Sequence, residues 1–319
     1  MSWNSQYVIE AHNVTKSFKG GVVAVNALDV EVPKGSVYGL IGRNGAGKTT
    51  TLRILMGLLR ADCGEATVLG YDMWEAPRAI RQRIGYVSQS QQLPGWMTLD
   101  ELCRCQAIFY PRWDGGLADT MARRWEIPRK RPISHLSGGE QRQAAILLAL
   151  AARPEVLFLD EPAAGLDPVA RRGLLTSLVD SLSQDIGCTI MFSTHHIGDL
   201  ERIGDHIGMM DRGRIVKSLH LNEWLERMRR VQVVFSTERV PDGFTIPTAR
   251  KIRCEGPVAT AVVELANEEQ LAPLRAIIGA RVNVFPMNLE EIFIEWFDKA
   301  SDHKECEEVE TATEVLHFG

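Results

Sequence analysis

Apolar and polar side chains alternate along the first 35 residues, as at Leu28, Val30 and Val32, and the alternation stops at Pro33-Lys34-Gly35. A period of two puts one face on a core and the other in water, so this stretch reads as strands joined by turns. The pattern then changes. Val37 to Ile41 is a short apolar strand, a glycine-rich segment follows it, and Thr49 to Leu59 takes up helical spacing. Thr98 to Ile127 is expected to be helical, opening on Thr98-Leu99-Asp100-Glu101, whose first and last residues fit a capping box. Prolines and basic residues intervene from Pro128 to Pro132, and a further helix is expected from Ser137 through the alanine- and leucine-rich stretch to Ala152. Val156 to Leu159 and Thr189 to Ser193 are apolar throughout or nearly so, as in strands of a parallel sheet covered on both faces.

Beyond about Lys217 the clusters of glycine and charge disappear. Short strand patterns occupy Val231 to Phe235, Ile252 to Cys254, Ala259 to Leu265 and Val282 to Phe285, with a helix expected near Gln270 to Ile278. Leu289, Ile292, Phe293 and Trp296 recur at helical spacing, which predicts an amphipathic helix over Asn288 to Lys299. The expected organisation is an α/β domain over 1–217 with a helical part at about 90–150, a small α+β domain over 218–300, and an acidic tail over 301–319.

Composition narrows the possibilities. Of 319 residues 45% are hydrophobic and 24% charged, an ordinary globular mixture. The net charge of −5 arises in the tail, where six acidic residues meet only Lys304, so the rest is balanced and offers no broad basic footprint. No nucleic-acid partner is expected. The longest apolar run, Ala144 to Ala152, has nine residues, well short of the roughly 20 that span a bilayer. The N-terminus lacks a secretory pattern, so the chain is expected in the cytosol. Six cysteines without metal-type spacing read as reduced, structural thiols.

Two motifs carry chemistry. Gly42-Arg43-Asn44-Gly45-Ala46-Gly47-Lys48-Thr49 satisfies G-x-x-x-x-G-K-[ST] between a strand and a helix. In such a loop backbone N–H groups and a helix N-terminus converge on phosphate, the lysine adds a cation and the threonine hydroxyl serves Mg²⁺. By itself this says only that ATP or GTP binds. Val156-Leu157-Phe158-Leu159-Asp160-Glu161 places two carboxylates after a buried strand, where open α/β sheets bind ligands. Asp160 there would hold Mg²⁺ and Glu161 would orient or deprotonate an attacking water.

Leu136-Ser137-Gly138-Gly139-Glu140-Gln141 completes the pattern, and with it the chain resembles the ATP-binding cassette (ABC) family of transporter ATPases. The likeness runs in order over residues 6 to 217. It implies a P-loop NTPase fold: a mostly parallel core sheet, an antiparallel β subdomain and a helical subdomain. It further implies Phe18 as the aromatic on adenine, Gly42 through Thr50 as the phosphate loop, and Gln89, between the core and helical subdomains, as a catalytic residue and ligand of Mg²⁺. Asp167 would lie in a loop at a dimer interface, and His195 would contact the γ phosphate. Ser137, Gly138, Gly139, Glu140 and Gln141 would meet ATP held by another subunit. Ser137 and Glu140 also fit a local capping box, a role that needs no glycines between them. The implied activity is Mg²⁺-dependent ATP hydrolysis, coupled to transport through a separate integral membrane subunit. A second cassette is required, identical or related, and the chain would sit at the inner face of the membrane. The C-terminal segment Asn288 to Phe293 resembles the extension of multidrug and exporter cassettes, which favours export. A soluble ATPase acting on nucleic acid or ribosomes is the competing reading. The run Phe109-Tyr110-Pro111-Arg112-Trp113-Asp114 is either a docking patch or subdomain core.

Overall fold

The computed structural model describes residues 6–90, 92–183, 187–249, 252–265 and 268–297. The acidic tail expected over 301–319 lies outside them. The chain divides into two compact units, Met1–Leu221 and Asn222–Gly319.

In the first unit the alternating N-terminal residues form β1 (Tyr7–Phe18) and β2 (Val22–Pro33), which join β4 (Cys63–Val68) in an antiparallel sheet ordered β2-β1-β4. The second sheet has six strands: β3 (Val37–Gly42), β5 (Ile84–Val87), β6 (Val156–Asp160), β7 (Thr189–Thr194), β8 (His206–Asp211) and β9 (Arg214–His220). Their order is β5-β6-β7-β3-β8-β9, with all pairs parallel except β8 with β9. Every residue of β3, β6 and β7 is buried, which is why these strands are apolar without alternation. Because β3 lies beside β7 and β7 beside β6, their C-terminal ends bring the glycine loop, the acidic pair and Thr194-His195 together.

Three helical expectations are corrected in detail. The helix after the glycine loop, α1 (Lys48–Leu55), stops short of Leu59, because Gly57 takes φ +68° and a side chain there would lie 2.2 Å from the Met73 carbonyl. After the short α2 (Arg78–Arg81), the segment Thr98 to Ile127 is two helices, α3 (Leu99–Phe109) and α4 (Gly115–Arg124). Pro111 cannot continue the first, and Asp114 caps the second by accepting from Leu117 N–H at 2.8 Å. The capping box at Thr98 and Glu101 forms as expected. A 3₁₀ turn (Ile133–His135) leads into α5 (Gly138–Ala151), and α6 (Pro168–Ser183) and α7 (Ile197–Ile203) follow β6 and β7.

The second unit holds α8 (Leu221–Arg227), with Trp224 wholly buried, and an antiparallel sheet of β10 (Met228–Phe235), β11 (Ile252–Glu255), β12 (Val258–Glu264) and β13 (Ala280–Pro286), ordered β11-β12-β10-β13. Val231, Val233, Ala259, Ala261 and Val263 build its core. The helix expected at Gln270 to Ile278 is a 3₁₀ turn (Glu268–Leu271) and the single-turn α9 (Ala272–Arg275), the second carrying a proline in its first turn. The last helix, α10 (Leu289–Phe297), buries Leu289 and Ile292, and its expected end at Lys299 falls outside the described residues.

Candidate nucleotide site

The glycine loop needs glycine for two separate reasons. At Gly42 a Cβ would sit 2.4 Å from the Met210 carbonyl oxygen. At Gly47 the backbone is left-handed, φ +107°, and a Cβ would sit 2.2 Å from the Ala24 oxygen. The loop thus folds tightly against β8 and β2 and delivers Lys48 to the first turn of α1. Lys48 is buried. Its ammonium donates to the Gly42 carbonyl at 2.8 Å and stands 3.8 Å from Glu161 Oε1. Burial pushes its pKa down, and the charges of Glu161 and Asp160 offset part of that. A further anion beside it would restore the balance, as a phosphate does.

Asp160, 1% exposed, accepts two hydrogen bonds on Oδ1: from Thr49 Oγ1 at 3.0 Å and from Ser193 Oγ at 2.6 Å. Thr49 and Asp160 are hard oxygen donors at the foot of the phosphate loop, the chemistry that Mg²⁺ takes, so these residues fit that ion. Glu161 is held in an uncommon conformation, φ +50°, its N–H shared between the carbonyl and hydroxyl oxygens of Ser193 at 3.2 and 3.0 Å. Such strain persists only where the surroundings enforce it. Its effect is to aim the carboxylate between Lys48 and His195, whose Nδ1 lies 2.8 Å from Glu161 Oε2.

A cavity of about 460 Å³ opens over these groups, lined by Val22, Val23, Ala24, Asn44 to Thr50, Gln89, Glu161 and His195. Five separate stretches of chain therefore meet in one place. Phe18 does not line it; it pairs with Val22 at the end of the β1 and β2 ladder and is half-exposed. Of the loop, Gly42 and Arg43 also stay outside the lining and present carbonyls to Lys48. The apolar surface of Val22 and Val23 was not singled out in the sequence, although two exposed β-branched residues after Gly20-Gly21 are an available signal. Arg142, which belongs to no motif in the sequence, donates to the carbonyls of Ser88 and Gln89, both at 2.6 Å, and so ties the Gln89 segment to α5.

Ser137 to Gln141 sit elsewhere, at the start of α5. Ser137 Oγ accepts from Glu140 N–H while Glu140 accepts from Ser137 N–H, so the capping box is real. Gln141 donates to the Leu136 carbonyl. A side chain at Gly138 would meet nothing within 4 Å among the described residues, and one at Gly139 would touch Leu166, next to Asp167. Asp167 in turn accepts from Ala170 N–H at 3.0 Å. None of these residues lines the cavity.

The ABC transporter family profile matches residues 25–164. The ABC transporter ATP-binding protein YtrB of Bacillus subtilis is 30% identical over 290 residues, covering 91% of this chain and 98% of YtrB. The daunorubicin/doxorubicin resistance ATP-binding protein DrrA of Streptomyces peucetius is 36% identical over 224 residues, 65% of this chain and 64% of its own. Among solved structures, a dimeric bacterial ABC transporter cassette matches with TM-score 0.59 and 26% identity, covering 67% of this chain and 98% of the cassette. The likeness extends over nearly the whole of both YtrB and this chain: the chain belongs to the ABC transporter ATP-binding proteins.

Proposed function

We propose that this chain hydrolyses ATP at a site closed by a second cassette and passes the resulting movement to a separate membrane subunit that exports its substrate, working from the inner face of the membrane. The observation that carries the reading is Glu161, a strained and buried carboxylate held between Lys48 and His195 at the floor of the cavity. Glu161 lines the cavity beside the glycine loop, where it would orient a water for attack on the γ phosphate, and phosphoryl transfer asks mainly for such positioning and charge neutralisation. Lys48 supplies fixed positive charge to the phosphates. His195 donates from Nδ1 to the Glu161 carboxylate and lines the same cavity. Phe18, with Val22 and Val23, offers apolar surface for the base. Thr49, Asp160 and Gln89 would hold Mg²⁺, which when bound neutralises developing charge on the β and γ phosphates.

Two cassettes arranged head to tail would bring Ser137, Gly138 and Gly139 of one chain to the ATP of the other, with Asp167 at the contact. The open space over Gly138 supports this, since nothing among the described residues requires a glycine there. For the membrane subunit, a groove of about 320 Å³ between α2 and the end of α3 fits, lined by Arg78, Arg81, Gln82, Gln106, Phe109 and Tyr110. Its floor is tied by Gln82 Nε2 donating to the Phe109 carbonyl at 2.6 Å, and β5 runs from there to Gln89. No helix among the described residues is long and apolar enough to cross a membrane. Export is supported by the resistance and export proteins among the relatives.

The test is Glu161→Gln in the full chain. ATP binding should persist while turnover falls by at least about a hundredfold, the scale of losing a general base, and closed dimer should accumulate. Undiminished turnover overturns Glu161 as the base. For the partner, the tagged chain purified from solubilised native membranes should bring a polytopic membrane protein with it, and Arg78→Glu with Arg81→Glu should release that protein. A chain that stays wholly in the soluble fraction overturns the transport reading.

A further inference from the structure

His196 has no part in the site described above, yet it is connected to it on both sides. Its ring lies 4.0 Å, centroid to centroid, from that of His195, which holds Glu161. Its Nε2 lies 2.9 Å from Arg171 Nη2. A guanidinium only donates, so Nε2 is the acceptor and His196 is a neutral imidazole carrying its proton on Nδ1. Burial, then the charges of His195 and Arg171, push the His196 pKa down, in keeping with that form. The turn that presents the ring is fixed: Thr194 Oγ1 accepts from His196 N–H at 3.0 Å, and Asp199 accepts from Thr194 Oγ1 at 3.3 Å. The charged and titratable groups facing His196 are Arg171 from α6, His195 from its own loop, Asp199 from α7 and Glu161 from the end of β6.

Arg171 connects onward. It lies in the first turn of α6, where its N–H donates to the Asp167 carbonyl at 2.9 Å, and the Asp167 side chain caps the same turn through Ala170. Its Nε is buried without a hydrogen-bond partner among the described residues. Four residues therefore form one physical path: Asp167 at the head of α6, Arg171, His196, and His195 against the base.

We propose that His196 is a positioning residue for hydrolysis, which accepts from Arg171 and so fixes the His195 ring and Glu161 relative to the turn that carries Asp167. The proposal rests on the assignment of Glu161 and His195 made above. It requires the acceptor at position 196 to act on the chemical step, not on ATP binding. Losing a hydrogen bond to a charged donor and letting the base shift corresponds to roughly a tenfold to hundredfold fall in rate.

The experiment measures steady-state ATPase of the full-length protein for His196→Ala, His196→Gln, Arg171→Ala, the Arg171→Ala/His196→Ala double variant and Glu161→Gln, with thermal melting to confirm folding. His196→Ala and Arg171→Ala should each lower kcat by about tenfold with KM for ATP within twofold of the parent. The double variant should be no slower than the slower single one, since both remove the same contact. His196→Gln, whose amide oxygen keeps an uncharged acceptor, should recover most of kcat. A kcat within twofold of the parent for His196→Ala overturns the proposal, as do multiplying losses in the double variant. A folded His196→Gln as slow as His196→Ala overturns it too. Full activity of Glu161→Gln is the separate outcome that overturns the reading on which the proposal rests.

Discussion

At Tyr38 a phenol is wholly buried on β3, its hydroxyl sharing a hydrogen bond with Ser218 Oγ at 2.9 Å, and burial pushes its pKa up to about 12. Below pH 10 folded and unfolded chains both keep this proton, and stability is unaffected. Between about 10 and 12 the unfolded phenol ionises first, so stability is lost as pH rises, by roughly 2–3 kcal/mol across the window. The Cys188 thiol, also pushed up to about 12 by burial, adds to the same limb. In urea titrations at pH 9 and 11, Tyr38→Phe should therefore lose less stability on going to alkali than the parent; parallel losses would remove Tyr38 as a cause. Residues of the site differ in how far the sequence announces them. Lys48, Asp160 and Glu161 are legible because a motif sets their spacing and a buried strand precedes or carries them. Ser193 is not, because its hydroxyl bonds Asp160 only through the register of β6 on β7, 33 positions further along the chain.

Elements are legible where the signal is local. Both capping boxes form because each needs only four consecutive residues, and β3, β6 and β7 are apolar because parallel strands are covered on both faces. The division of Thr98 to Ile127 is not legible in the sequence because Asp114 reads as one more polar helical position until its partners are known. It accepts from Leu117 N–H with one oxygen and from Arg153 with the other, at 2.6 Å to Nη2, and its own N–H donates to the Ala151 carbonyl. The Leu117 amide first and Arg153 second hold its carboxyl below the usual range, so its contribution is present above that range and lost as acid protonates it. Asp114→Ala removes a cap and unpairs Arg153, at a cost of about 1–3 kcal/mol. The urea midpoint should fall with an unchanged slope. No change in midpoint would leave Pro111 alone as the cause of the break.

For the whole molecule, the decisive question is whether one chain holds a complete site. The cavity collects Gln89, Glu161, His195 and the glycine loop, while Gly138 opens onto empty space and Gly139 and Leu166 pack beside Asp167. The family resemblance assigns the conspicuous Ser137-Gly138-Gly139 segment to another chain's nucleotide, and in the structure that segment does not line the cavity of its own chain. That separation makes folding and assembly testable apart. Gly138 is the first residue of α5, where a side chain has room and an acidic one meets the positive end of the helix, a favourable effect of about 0.3–1 kcal/mol. The same carboxylate would repel a phosphate arriving on a second cassette. Gly138→Asp should therefore melt at or above the parent temperature and bind ATP normally. Made in the Glu161→Gln background, it should remain monomeric by light scattering with ATP and Mg²⁺, where Glu161→Gln alone should double its mass. Dimerisation that survives Gly138→Asp would mean that the Ser137-Gly138-Gly139 segment does not meet the partner's nucleotide, and the head-to-tail arrangement would fall with it.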